Sequence, residues 1–286
     1  MLCKGGAGLN LNWYESLLYG LFSGLTDILP VCAQAHDMLL LKLFGERSIP
    51  ALLQLLIHMS IFAALYYSCM PHITKMIRAK SLSRVPKRRR KRPLDVKSLM
   101  DFSLWKTMAI PVILGFLLYQ KLSFLRESLL VLALFLFLNG LILYIPQYLP
   151  GSNKDSRSLS RVEGLLMGLG GALSVLPGIS AMGACVSIGS VCGVDRKYCL
   201  TMAFLMNLVV MAGLMVTDVL LIIAQGAGNL SFGVLVCYLL SSVAAFLGTT
   251  LGIRVMNLLS ADKGYSLFAY YSWGIALFTF ILNLMA

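Results

Sequence analysis

Two proline-interrupted segments carry the side chains best suited to chemistry. Asp27 precedes Pro30 and His36 follows it, within an otherwise apolar stretch. If the chain folds back at the proline, the carboxylate and the imidazole come close together, and such a pair suits acid–base or nucleophilic chemistry near neutral pH. The structural alternative is that Asp27 caps the loop and His36 anchors it. The second interruption, at Pro177, contributes Ser180 and backbone N–H groups at a helix start, which could hold an anion.

The composition indicates what surrounds these residues. Of the 286 residues, 58% are hydrophobic and 13% are charged, against about 45–50% and about 25% in soluble proteins. The mean hydropathy is +0.82. A soluble core cannot hide this much apolar surface, so disorder and an ordinary water-soluble enzyme are excluded, and lipid must be the main solvent of the chain.

Apolar runs long enough to cross a bilayer, about 20 residues each, define the expected elements. Six spans are predicted, at 50–70, 104–120, 128–148, 198–223, 230–252 and 266–285. The two proline-interrupted regions, 13–45 and 163–195, should each form two short helices, because proline removes a helix donor and clashes with the preceding turn. The expected fold is an all-α integral membrane protein with about six transmembrane helices and two re-entrant helical hairpins.

The two interrupted regions resemble each other. Residues 24–30 (GLTDILP) align with residues 171–177 (GALSVLP), and three spans follow each region. We therefore predict one membrane domain, 1–286, with repeat one at 13–148 and repeat two at 163–285. An odd number of spans per repeat inverts the second copy, which places a ligand site near the bilayer midplane where the broken helices meet. Chance similarity of two short patterns is the alternative.

The basic residues are concentrated in one place. Eleven of the 24 lysines and arginines lie between residues 75 and 97, inside a predicted loop at 71–103. Such a run could bind nucleic acid, but long apolar segments flank it, so we interpret it as a cytoplasmic loop that follows the positive-inside rule and contacts membrane lipids, with no nucleic-acid partner. The first hairpin then opens to the outside.

The other ionisable residues in apolar segments are few. Glu163, Asp218 and Arg254 lie near predicted span ends and are interpreted as structural, since capping or snorkelling accounts for them there. His58 lies inside a predicted span, and its role is left open between packing and function. The sequence has no zinc-ligand spacing and no phosphate loop, so neither a metal–thiolate site nor a nucleotide is expected.

At the two interruptions the sequence resembles the undecaprenyl-diphosphatases, the bacitracin-resistance family. Residues 24–36 (GLTDILPVCAQAH) resemble the first signature, EGxTEFLP[IV]SST[AG]H, and residues 176–184 (LPGISAMGA) resemble the second, LPGISRSGA. The resemblance extends over about 13–285. It implies six spans, two re-entrant hairpins and inverted repeats in a bacterial plasma-membrane enzyme. That enzyme removes one phosphate from undecaprenyl diphosphate at the outer face and so recycles the lipid carrier of cell-wall synthesis.

Carried over by position, the resemblance implies catalytic roles for Asp27, His36 and Ser180. It also implies that Asp27 binds a divalent cation, Mg²⁺ or Ca²⁺. The predicted substrate-binding residues are Ser23, Cys32, Gln34, Gly178 and Gly183.

Several signature positions depart from the family pattern. The first glutamate is Ser23, the two serines are Cys32 and Ala33, the threonine is Gln34, the second-signature arginine is Ala181, and the serine after it is Met182. Cleavage of a diphosphate needs its negative charge neutralised, so the missing arginine argues against strong activity. Cys32 as a substitute nucleophile is an alternative.

Two main hypotheses follow. The chain is either a weakly active phosphatase on undecaprenyl or a related polyprenyl diphosphate, or a catalytically inactive relative that binds or translocates a polyprenyl phosphate. A transporter for an unrelated small molecule is a third hypothesis, and a homodimer is left open. If the scaffold still holds the site, introducing Ala181→Arg together with Ser23→Glu should raise activity.

Overall fold

A computed structural model describes residues 12–44, 49–119, 121–126, 128–149, 153–226, 230–259 and 265–285. Over these residues the chain is helical, and the all-α prediction is confirmed. The ten α-helices are α1 (Trp13–Ile28), α2 (Ala33–Leu43), α3 (Ala51–Ser83), α4 (Val96–Tyr119), α5 (Leu129–Tyr144), α6 (Arg161–Ala172), α7 (Ala181–Val191), α8 (Arg196–Gln225), α9 (Phe232–Leu259) and α10 (Tyr265–Met285).

Six of the described helices are long and apolar enough to cross a membrane. They are α3, α4, α5 with the 3-10 turn that extends it to Tyr148, α8, α9 and α10. A helix of 20 residues is about 30 Å long, which matches the hydrocarbon core of a bilayer. Their outward faces carry large apolar side chains, such as Ile113, Leu114 and Leu117 on α4. The six predicted spans are confirmed, and the chain is a multi-pass membrane protein.

The basic loop is shorter than predicted. Helix α3 continues to Ser83 and α4 begins at Val96, so only residues 84–95 lie between these two helices, with one 3-10 turn at Lys87–Arg89. Lysine and arginine are good helix formers. The first basic residues therefore extend α3 beyond its apolar part instead of ending it.

Both proline-interrupted regions are broken, as the sequence predicts. Helix α1 ends at Ile28 and α2 begins at Ala33. Helix α6 ends at Ala172, a 3-10 turn covers Leu173–Val175, and α7 begins at Ala181. Each region is therefore two short helices, not one straight crossing. The re-entrant depth of these helix pairs in a bilayer stays a prediction.

The helices pack in reciprocal pairs. Helix α1 lies against α9 and α6 lies against α4, while α3 packs on α8 and α5 packs on α10. Small residues permit the close approach: a Cβ atom at Gly24 would collide with the backbone of Ala245, and one at Gly168 would collide with that of Met108. Small residues at helix crossings are typical of membrane proteins, where packing drives association. This pairing is the one expected if α1–α5 and α6–α10 are two similar halves. In that case α1 packs on the counterpart of α4, and the counterpart of α1, which is α6, packs on α4 itself.

The structural interpretation of Glu163 agrees with its contacts. Its carboxylate accepts hydrogen bonds from Lys154 Nζ (2.8 Å) and from the backbone N–H of Ser160 (2.7 Å), which caps α6. These bonds lower the pKa of Glu163, at the exposed first turn of α6, to about 2. Lys154 Nζ also donates to the carbonyl of Cys192 (2.9 Å), so it joins the start of α6 to the end of α7.

Candidate active site at the two helix breaks

The two helix breaks contact each other directly. The backbone N–H of Gly178 donates to Cys32 Sγ (3.2 Å), and Ser180 Oγ donates to the carbonyl of Leu29 (3.4 Å). Gly178 has φ +102°, a left-handed conformation that favours glycine. Segments about 150 residues apart in sequence therefore form one compact loop junction, as the predicted meeting of the broken helices requires.

Asn139 of α5 holds this junction together. Its Oδ1 accepts from the backbone N–H of Ser180 (3.0 Å), and its Nδ2 donates to the carbonyl of Pro30 (3.4 Å) and to Ser272 Oγ (3.0 Å). The side chain is completely buried. The sequence interpretation missed this residue. Its one signal was a lone polar amide in a very apolar helix, where polar groups are costly unless they bind something.

A cavity of about 100 Å³ lies beside the junction. Its polar lining residues are Asp27, Cys32, Gln34, Asp37, Gln54, His58, Tyr119, Ser174 and Ser180. A smaller cavity of about 30 Å³ shares Asp27, Asp37 and His58 with it and adds Tyr19 and Ser23. Pockets that enclose a whole ligand usually measure about 300–1,000 Å³. This space therefore suits a small headgroup better than a complete lipid.

Asp27 is positioned by α8. Asn207 Nδ2 donates to Asp27 Oδ2 at 2.9 Å, and Asn207 is only 1% exposed. The carboxylate is thus held at the wall of the cavity, not turned to cap the loop. The sequence predicted Asp27 as a site residue, and the structure places it among the groups that could carry chemistry. Asn207 has no distinctive sequence signal besides its polarity within an apolar span.

Asp37 of α2 is a second carboxylate in the same cavity. Ser23 Oγ donates to Asp37 Oδ1 at 2.5 Å, which connects α1 and α2 across the break. The sequence interpretation did not name Asp37. A charged residue within an apolar stretch was the available signal, and the neighbouring histidine, whose spacing matched a signature, was chosen instead.

His58 of α3 is paired with Asp218 of α8. The distance from His58 Nδ1 to Asp218 Oδ2 is 2.6 Å, and Asp218 is 3% exposed. The interpretation of Asp218 as an end-of-span residue is wrong, because it is a buried partner of a histidine. A carboxylate oxygen accepts, so Nδ1–H donates and Nε2 is left as the nitrogen for proton exchange. A carboxylate that orients a histidine in this way is a common acid–base arrangement.

His36 does not join this group. Its Nδ1 lies 2.7 Å from the carbonyl of Cys32, its Nε2 lies 2.7 Å from Tyr271 Oη, and its ring stacks on that of Tyr271. It faces an apolar groove of about 490 Å³ between α1, α2 and α10 that includes Phe22 and Phe278. The predicted convergence of Asp27, His36 and Ser180 is therefore wrong for His36.

The helical register of α2 explains this separation. Residues Ala33, Gln34 and Asp37 line the cavity. Asp37 follows Ala33 by four positions and Gln34 by three, so it shares a helix face with both. Adjacent positions on a helix differ by about 100° in direction. His36 therefore points away from the face that carries Asp37.

The remaining predicted residues divide between lining and support. Cys32, Gln34 and Ser180 line the larger cavity, and Ser23 lines the smaller one. Within the part of the chain that the structure describes, Gln34 Oε1 is buried without a hydrogen-bond partner. Gly178 and Gly183 contribute backbone N–H groups to Cys32 and Ser180 and do not line either cavity. Ser180 is also the N-cap of α7.

The two carboxylates of the cavity could serve as ligands for a divalent cation only together with other groups. Over the described ranges, no three His, Cys, Asp or Glu side chains lie close enough to hold a metal ion on their own. Asp27 and Asp37 do face one cavity. Mg²⁺ is often bound by one or two carboxylates while phosphate oxygens of the substrate complete its coordination. The residues present fit that shared mode and do not fit a site made of protein ligands alone.

One arginine, Arg126, packs against a residue of the cavity wall. The described lining residues include neither lysine nor arginine. However, the guanidinium of Arg126 lies 3.5 Å from the ring centroid of Tyr119, which lines the cavity, and its Nη2 donates to the carbonyl of Tyr119 (2.5 Å). Arg126 Nε is buried and has no hydrogen-bond partner among the described residues.

Comparison with known proteins supports the sequence resemblance. The family model described as bacitracin resistance protein BacA matches residues 16–278. The chain is 26% identical over 272 residues to an undecaprenyl-diphosphatase of Methanobrevibacter smithii, covering 93% of this chain and 96% of that protein. It is 25% identical over 273 residues to an undecaprenyl-diphosphatase of Carboxydothermus hydrogenoformans, covering 96% and 98%. A third undecaprenyl-diphosphatase, from a Nocardioides species, is 29% identical over 203 residues, covering 71% and 73%.

Proposed function

Because the chain belongs to the bacitracin resistance protein BacA family, we propose that it is an undecaprenyl-diphosphatase, which hydrolyses undecaprenyl diphosphate to the monophosphate and inorganic phosphate. The observation that carries the proposal is that Asp27, Asp37 and His58 line one small cavity together with Ser180 at the start of α7. The substrate comes from the names of the relatives. The product is the lipid carrier that cell-wall synthesis reuses.

The start of α7 suits the phosphate groups. The first backbone N–H groups of a helix lack intrahelical acceptors and bind anions well. Ser180 and Ala181 at this helix start line the cavity, and Asn139 fixes the backbone of Ser180. The diphosphate would lie here, and its polyprenyl chain would lie outside the cavity, because the space is too small for the chain.

His58 would act as the general base. Its Nε2 would take a proton from a water molecule as the water oxygen bonds to the terminal phosphorus and the bond from that phosphorus to the bridging oxygen breaks. Asp218 would hold the ring and stabilise the imidazolium. Asp27, held by Asn207, would orient the reacting groups. Asp27 and Asp37 would hold a divalent cation, which would supply charge that neutralises the diphosphate.

The membrane placement is part of the proposal. We place the pairs α1–α2 and α6–α7 as re-entrant hairpins of two inverted repeats in the plasma membrane, with 75–97 cytoplasmic and the first hairpin open to the outside. The reciprocal helix pairing supports the repeat. The concentration of basic residues between positions 75 and 97 supports the cytoplasmic placement of that loop.

The second candidate function is binding or translocation of a polyprenyl phosphate without catalysis. Ala181, at the position of the signature arginine, favours it, because the described lining residues include no arginine that could bind a diphosphate through two hydrogen bonds. The two candidates differ in one measurable quantity, the release of inorganic phosphate.

Phosphate release from undecaprenyl diphosphate is expected from the purified protein in detergent with Mg²⁺ or Ca²⁺. Asp27→Asn should lower the rate about 10²-fold, because the amide can keep the contact with Asn207 but loses the charge. Release is measured as inorganic phosphate against a protein-free control. Asp155→Asn, at a half-buried carboxylate that lines neither cavity, is the matched control. If the unaltered protein binds undecaprenyl phosphate but releases nothing above the control, the second candidate function replaces the first.

Arg126→Ala is expected to lower kcat/KM about tenfold, which corresponds to about 1.4 kcal/mol of transition-state stabilisation. The reason is that Arg126 is the cation stacked on the cavity wall at Tyr119. The kcat/KM of Arg126→Lys should lie between those of the unaltered protein and Arg126→Ala, because lysine keeps the charge but cannot stack on the ring as the planar guanidinium does. Arg88→Ala, an exposed arginine of the basic loop, is the control. Equal kinetics for Arg126→Ala and Arg88→Ala would rule out a contribution from Arg126.

A further inference from the structure

We propose that Asp37 is the partner carboxylate of Asp27 in the cavity, and that it supplies from α2 the negative group that position 23 lacks in this chain. The inference rests on the proposed function and deepens it, because it explains why the second carboxylate of the cavity comes from α2 and not from position 23. It starts from one contact, the hydrogen bond of 2.5 Å from Ser23 Oγ to Asp37 Oδ1.

The contact places the Asp37 carboxylate where a longer acidic side chain at position 23 would end. Ser23 is 3% exposed, and both residues line the smaller cavity together with Asp27 and His58. A serine hydroxyl lies one bond beyond Cβ, and Asp37 Oδ1 lies 2.5 Å from the Ser23 hydroxyl oxygen, which is within reach of a glutamate side chain at position 23. A glutamate at position 23 would therefore reach the space that the Asp37 carboxylate occupies.

The surrounding groups are those that a pair of carboxylates requires. Tyr19 from α1 and Gln54 and His58 from α3 face the same cavity as Asp27 and Asp37. Tyr19 and Gln54 can hydrogen-bond without adding charge, and His58 is the titratable base that faces both acids. Asp37 also shares its helix face with Gln34 and so points into the larger cavity, where the diphosphate would lie.

This arrangement changes the expectation for Ser23→Glu. Introduced alone, a glutamate at position 23 would meet the carboxylate of Asp37 at hydrogen-bonding distance, and two like charges in contact destabilise each other. The substitution should therefore lower activity, although it restores the family signature. It should restore function only when Asp37 is shortened to serine at the same time.

Four variants of the full-length protein test the inference through phosphate release from undecaprenyl diphosphate. Asp37→Asn keeps an acceptor for the Ser23 hydroxyl but removes the charge, and it should lower the rate about 10²-fold. Asp37→Ser and Ser23→Glu should each lower the rate at least tenfold, and the double variant Ser23→Glu/Asp37→Ser should recover to within about tenfold of the unaltered protein.

Asp101→Asn is the matched control, because Asp101 is a buried carboxyl that accepts from Tyr198 Oη (2.8 Å) and lines neither cavity. Thermal unfolding of every variant verifies folding, and Asp37→Asn, which is nearly isosteric, is informative even if the double variant does not fold. If Asp37→Asn keeps the activity of the unaltered protein, Asp37 is only a structural partner of Ser23 and the inference is overturned, while the proposed function stands. Absence of turnover by the unaltered protein rejects both.

Discussion

Replacing His58 with alanine is expected to lower phosphate release from undecaprenyl diphosphate about 10²–10⁴-fold, the usual contribution of a general acid or base. The imidazole is the ring that lines the cavity with Asp27 and Asp37, and Asp218 Oδ2 holds its Nδ1 at 2.6 Å. Removing the ring leaves the attacking water without a base. Steady-state rates at saturating lipid and a common pH measure the effect.

His36→Gln is the comparison that makes this prediction specific. The glutamine amide can form the hydrogen bonds that His36 makes to the carbonyl of Cys32 and to Tyr271 Oη. The His36 ring lies in the apolar groove, outside the cavity. We expect this variant to lose less than about tenfold, well below the loss for a missing base. Asp218→Asn should lie between the two, because it retains an acceptor but no longer stabilises the imidazolium. A larger loss for His36→Gln than for His58→Ala would return the acid–base role to His36.

Asn139→Leu is expected to destabilise the folded protein by several kcal/mol, because it removes the partner of three buried groups at once. Each buried polar group left without a hydrogen bond costs about 1–3 kcal/mol. The groups are the N–H of Ser180, the carbonyl of Pro30 and the hydroxyl of Ser272. Leucine matches asparagine in size but provides neither donor nor acceptor. The measurement is the midpoint of thermal unfolding in detergent, together with the yield of monodisperse protein.

Leu138→Ala is the control, because it alters the more exposed face of the same helix α5 and leaves the contacts of the junction unchanged. We expect Asn139→Asp to be intermediate in stability, since its carboxylate still accepts from Ser180 but cannot donate to Pro30 or Ser272. Unfolding midpoints for Asn139→Leu and Leu138→Ala that differ by no more than the error of the measurement would contradict the role given to Asn139.

Hydropathy and proline positions predicted the elements well, because both act locally. A span needs about 20 apolar residues wherever it packs, and Pro30 and Pro177 break a helix whatever surrounds them. The spans and both breaks were therefore predictable. The end of α3 was placed too early, because hydropathy shows where the apolar part of a helix ends, whereas lysine and arginine can continue the helix beyond that point.

The candidate site was predictable only in part. Asp27 and Ser180 were identified from their positions at the two breaks, and both line the cavity. His36 was misplaced because its direction depends on the residue at which α2 begins, and a shift of one position on a helix turns a side chain by about 100°. Its neighbour Asp37 occupies the cavity face for the same reason.

The amino-acid sequence by itself determined that the chain is a multi-pass helical membrane protein with two proline-interrupted regions and one basic loop. These properties follow from the composition and order of short segments. Tertiary structure alone decided that His58 pairs with Asp218, 160 positions later, and that Asn139 joins both breaks. Such contacts depend on which helices lie side by side and on their rotation about their axes. That choice is made by close packing of small residues such as Gly24 and Gly168 over the whole bundle, and no local pattern encodes it.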